Sequence, residues 1–271
     1  MELPSITRPI LKPAFLFLAL GVLPLLHRDA AGNDPVSISG PVQNPVCGCC
    51  GNAILKDYMR IPGLEEYFCL ECFSSRPHCF FCGQPFRERG QPSKMDRPVC
   101  PLCAKTAVRN IQDARNHYQW IKRRVEKLLG NPFPDSITMK LAENLGREAG
   151  IPLSGETREL GAFVKQGSEH TLLILANMPE CLFIETVAHE LTHVWQDLFC
   201  VRGQDIQIRE GFAQWVADRI LAHTDCSREI KILRNREDIY GTGFRRLKKI
   251  EEEKGLAYLL QYVRTNLGDK S

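Results

Sequence analysis

The chain has 271 residues, 44% of them hydrophobic and 25% charged, with a formal net charge of +3. This balance excludes a disordered or collagen-like chain and gives no compositional case for a nucleic-acid partner; it leaves room for one large or two modest globular domains. The unusual feature is the cysteine content, with nine of twelve cysteines between Cys47 and Cys103.

In chain order, Arg8 and Lys12 precede or border an apolar run over residues 14–26. The run is shorter than the roughly 20 residues that span a bilayer, and its basic start fits a signal-peptide core or a membrane anchor over residues 1–26. Export or membrane tethering is therefore expected, with the cytoplasm as the alternative. Residues 27–46 are rich in Gly, Pro, Ser and Asn and read as a linker.

Four CxxC pairs follow: Cys47 with Cys50, Cys69 with Cys72, Cys79 with Cys82, and Cys100 with Cys103. Each pair makes a knuckle that aims two sulfurs at one ion, and two knuckles complete a closed tetrahedral site. Residues 47–104 thus read as a module holding two structural zinc ions. The gaps of 18, 6 and 17 residues between pairs favour sequential pairing, with a cross-braced arrangement as the alternative. Cys49, beside Cys50, is a spare. Eight thiolates against two zinc dications would turn the formal +3 into about −1, removing the basic excess.

Beyond the module, apolar residues at helical spacing predict one amphipathic helix over 104–129, stopped by the NPFP stretch. Strands are expected in SITMKL, TRELGAFV and HTLLILAN. Residues 180–199 return to helix, another helix starts near Ile208, and helix resumes after Ser227 with a break at YGTG, residues 240–243. The fold class is α+β, with residues 105–271 as its second domain.

The stretch TVAHELTHVWQ carries HELTH. His189 and His193, four apart on one helix, project from the same face and can share one zinc ion. Glu190 is offset around the helix, where it can take a proton from a water without ligating the metal. A third ligand is required, and Glu210, near the start of the next helix, is the best placed. Asp197 would look along its own helix rather than at the metal. Gln214 could orient a ligating histidine from behind, whereas Asp218, one turn on, reads as part of an ordinary polar helix face.

Several segments together resemble the LIM-containing peptidases best known from plant organ-size regulators, the DA-one family. They are the CxxC series ending in VCPLCAKTAV, then TRELG, AHELTHVW, REGFAQ and IYGTGFRRL, in that order. The chain looks like a bacterial member with an export-like N-terminus. The resemblance implies a LIM-like two-zinc module, residues 47–104, ahead of a zincin-like peptidase domain, residues 105–271. His189, His193 and Glu210 match the family's metal positions and Glu190 its catalytic glutamate. Tyr240 falls in the matched YGTGF segment and is the candidate donor to a developing oxyanion.

The expected function is that of a zinc-dependent endopeptidase with three zinc ions, one catalytic and two structural. Its substrate would be a protein or peptide, added as an extra strand along residues 172–175. The LIM-like module would offer a surface to a protein partner, and no nucleic acid is expected. The alternative is a catalytically inert zinc-module scaffold.

Overall fold

The computed structural model describes residues 36–38, 45–61, 63–87, 97–149 and 160–266. The expected signal or anchor segment, most of the linker and the first three residues of TRELG lie outside these. Among the described residues, no helix is long and apolar enough to cross a membrane.

Two small sheets and nine helices make a mixed α+β fold among the described residues. The first sheet is antiparallel, in the order β1 (Val36–Ile38), β2 (Tyr58–Arg60), β3 (Tyr67–Cys69). Strand β1 corrects the reading of residues 27–46 as linker throughout, because Val36 pairs with Arg60 and Ile38 with Tyr58. Helix α1 (Leu70–Ser75) follows directly. Ile54, Tyr58, Ile61, Leu64 and Phe68 form a small core around the first cysteine group. The second cysteine group has no such core of its own. Phe81, Phe86 and Val99 join the large core formed by the later helices and sheet. His78 links the two groups, with Nε2 2.6 Å from the Phe73 carbonyl and Nδ1 2.9 Å from that of Gly83.

The single helix expected over 104–129 is two. Helix α2 (Pro101–Lys105) is short, and α3 (Ile111–Leu129) starts where the Asn110 side chain accepts from the Asp113 amide at 2.8 Å. The intervening chain is held extended because its backbone bonds elsewhere: Val108 N–H donates to Met178 and Glu180 N–H to Thr106. Gly130, at φ 74°, closes α3 in the left-handed region.

The second sheet has the order β4 (Ile137–Ala142), β6 (Glu169–Leu175), β5 (Gly161–Gln166). Strand β6 runs parallel to β4 and antiparallel to β5. Its Leu172, Leu173, Ile174 and Leu175 are all buried, as a central strand requires. This overturns the expectation that residues 172–175 accept a substrate strand. Both edges of β6 are already paired, and the edge strands are β4 and β5. Short helix α4 (Leu145–Ala149) follows β4.

Helix α5 (Glu180–Phe199) is apolar nearly all round and lies in the core, packed on β5, β6, α3 and α6 (Ile206–Leu221). Trp195, Phe212 and Trp215 stack between α5 and α6, with successive ring centroids 5.5 Å apart. Asp205 caps α6 by accepting from the amides of Gln207 and Ile208. After α7 (Ser227–Arg234) the helix resumes as α8 (Ile239–Lys254), then α9 (Leu256–Thr265).

The break predicted at 240–243 is therefore misplaced: it falls at 235–238, and YGTG is the first turn of α8. Its glycines serve close packing. A Cβ on Gly243 would lie 2.1 Å from the Gln207 carbonyl oxygen, and one on Gly211 would lie 2.3 Å from the Gly243 carbonyl carbon. The pair lets α6 and α8 cross backbone to backbone.

Candidate metal centres

The structure groups the cysteines sequentially. Sulfurs of Cys47, Cys50, Cys69 and Cys72 converge, as do those of Cys79, Cys82, Cys100 and Cys103, and each group could hold a metal ion. The cross-braced arrangement does not occur, and Cys50 rather than Cys49 completes the first group. In each group the second knuckle opens a helix: Cys69 caps α1 and Cys100 caps α2. Backbone N–H groups point at the sulfurs, as from Cys50 to Cys47 at 3.5 Å and from Cys100 to Cys79 at 3.3 Å. Burial pushes the Cys47 thiol up, but the N–H donors of Cys50, Cys69 and Cys49 outweigh it and bring it down to about 7. The thiolate so favoured is the metal-binding form. Four sulfurs in each group suit zinc.

The third group is His189, His193 and Glu210, whose ligand atoms all lie within 4.8 Å of one another. The two Nε2 atoms are 3.0 Å apart, and Glu210 Oε2 is 3.2 Å from one and 3.3 Å from the other. The hairpin of α5 and α6 makes this convergence. Its base is closed by Gln196, whose Nε2 donates to the Arg209 carbonyl at 2.9 Å.

That bond fixes the amide orientation, so Gln196 Oε1 is free to accept. It stands 2.8 Å from His193 Nδ1, which must then carry the proton. In the neutral ring, Nε2 is left as a lone pair aimed at the shared point. Glu210 Oε1 is buried with no hydrogen-bond partner. A buried carboxylate oxygen costs free energy when unsatisfied, and a cation shared with two imidazoles would satisfy it. The residues present therefore fit a His2Glu metal site.

The surroundings are equally constrained. Burial raises the pKa of Glu190, which is 5% exposed and stands between α5 and the edge strand β5. A Cβ on Gly161 would meet Thr186 Cγ2 at 2.6 Å and Glu190 Cγ at 3.0 Å, so the start of β5 must be glycine to pass this close. Burial pulls His193 down, but the Glu210 carboxylate overcomes this and leaves it raised. Burial likewise pushes Glu210 up, yet the charges and hydrogen bonds of His193 and His189 bring it well below the usual carboxylate range. Tyr240 joins from α8, its ring centroid 5.9 Å from that of His189, and burial raises its phenol.

Gln214 and Asp218 do not orient the histidines. Gln214 donates to Glu185 at 3.1 Å, and Asp218 holds Arg234 at 2.6 and 3.2 Å. The group that does, Gln196, was missed, although its position three residues after His193 on one helix was the available signal. Asp197 turns away from the metal ligands, to Lys165 at 2.7 Å and His170 at 3.2 Å. Cys181 and Cys226 form a disulfide, so the loop it closes contains all three ligands of the His2Glu group.

Compared with known proteins, the chain matches no family model, no curated sequence and no solved structure.

Proposed function

We propose that this chain is a zinc-dependent endopeptidase of the glutamate-type zincin kind, with a LIM-like two-zinc module ahead of the peptidase domain. The supporting observation is the convergence of His189, His193 and Glu210, with the Glu190 carboxylate on the helix of the two histidines and Tyr240 beside His189. In this reading zinc, when bound, supplies Lewis acidity to the scissile carbonyl and the attacking water. Glu190 accepts the water's proton and passes it to the leaving amine. Its raised pKa suits both halves of that transfer. Tyr240 donates a hydrogen bond to the developing oxyanion. An extended protein or peptide substrate would pair with the edge of β5 that is unpaired among the described residues, whose Gly161 end lies at Glu190.

The Cys181–Cys226 disulfide favours an oxidising compartment, in keeping with the export-like N-terminus. The first cysteine group, with its separate core, is the surface proposed for a protein partner.

The test is cleavage of an unstructured protein such as casein. Parent protein should cut it, lose activity to a chelator and regain it with zinc. Glu190→Gln should keep the metal and lose at least about a hundredfold in rate. Equal rates for that variant and the parent would sink the proposal.

A further inference from the structure

Among the described residues, the candidate oxyanion donor, Tyr240, has two ring neighbours. One is His189. The other is Arg236, whose guanidinium lies 4.4 Å from the Tyr240 ring centroid. Arg236 is itself held. Its Nη2 and Nε reach the two oxygens of Asp238 at 2.6 to 3.2 Å, and both side chains are only 14% exposed. Asp238 also caps α8, its Oδ1 accepting from the Gly241 amide at 3.1 Å.

The Arg236 backbone belongs to the same lock. Its carbonyl accepts from Arg245 Nη1 at 2.5 Å, and it sits so near Gly241 that a Cβ there would meet it at 2.0 Å. The turn from Arg236 to Gly241 is therefore fixed at both ends, with Tyr240 inside it and the cation against its ring. The Gly211–Gly243 crossing ties this turn to α6 next to Glu210.

A surface turn would need none of this. A buried guanidinium carries a large desolvation cost, and here part of what it contacts is one aromatic face beside a metal ligand. A cation against that face also makes the phenol a stronger hydrogen-bond donor. We propose that Arg236 is the positioning residue for Tyr240, clamping the ring through the Asp238 pair so that its hydroxyl addresses the reacting carbonyl. This rests on the peptidase reading above.

The experiment is a double-mutant cycle on casein-derived peptide cleavage, with zinc content and melting temperature recorded for each protein. Arg236→Ala should lower kcat about 30-fold or more, leave KM within about threefold, and keep the metal. Tyr240→Phe should lose about as much. In the Tyr240→Phe background, Arg236→Ala should cost less than about threefold, because the group it positions is gone. Arg236→Lys, which keeps a charge for Asp238 without the flat guanidinium, is read the same way if Arg236→Ala does not fold.

Equal losses from the Arg236 substitution in both backgrounds would show a general structural role and overturn the proposal. Full activity of Tyr240→Phe or of either Arg236 variant would do the same. Glu190→Gln is the control that separates the two levels. If it is as active as the parent, the peptidase reading itself has failed; if it is inactive, the cycle judges Arg236 alone.

Discussion

Gln196 and Asp197 are adjacent on α5 and serve opposite sides of it. Gln196 fixes the His193 tautomer and ties α5 to α6, while Asp197 ties α5 to the sheet through Lys165 and His170. For Asp197, burial raises the pKa, but the hydrogen bonds from Lys165 and His170 outweigh it and leave it below its ordinary 3.8. A depressed carboxylate contributes stability that is fully present above its unfolded pKa and is lost as pH falls through the folded one. Asp197→Asn should therefore cost about 1–2 kcal/mol at pH 7 in denaturant unfolding. The gap from the parent should close as pH drops below 3.8. A gap that persisted there would remove Asp197 as the titrating partner.

At this scale the sequence made HELTH legible, because two histidines four apart can share an ion on any helix. Arg236 gave no such signal. Its role depends on a turn placed by the crossing of two helices distant in sequence.

At the scale of elements, what matters is how α8 meets α6. Glycines in YGTG looked like a helix break, since glycine lowers helix propensity. The structure uses Gly243 instead for the missing Cβ, and the break falls at residues 235–238, directly before α8, where Asp238 caps the new helix. Local propensity could not show this, because the reason is the Gln207 carbonyl on another element. Gly243→Ala should force the two backbones apart, costing about 2–4 kcal/mol. Circular-dichroism melting would register that cost, and it should also lower cleavage by displacing Tyr240. Wild-type melting would show that the crossing is looser than described.

The strands of the second sheet and the α5–α6 hairpin were legible because their apolar patterns are regular, whereas the three short strands of the first sheet were not. The split of the 104–129 helix was not, because it depends on backbone pairing with residues 178 to 180.

For the whole molecule, the cysteine spacing foretold two four-sulfur groups and favoured sequential pairing while leaving the cross-braced arrangement open; the structure groups them sequentially. It did not foretell that the second group would share the large core while the first keeps its own. The first group still touches the rest: Gly63 packs against Ile232 of α7, and α7 leads into the Arg236 turn. Three metal groups of two kinds should behave differently. Four thiolates would close a zinc site, whereas the His2Glu group offers three protein ligands and would leave a fourth position to water or substrate. Zinc quantification per chain by mass spectrometry, on the parent and on His193→Ala, tests the central claim most directly. The account predicts three zinc ions in the parent and two in the variant, with the two retained ions resisting a chelator that strips the third. Two zinc ions in both proteins would contradict it.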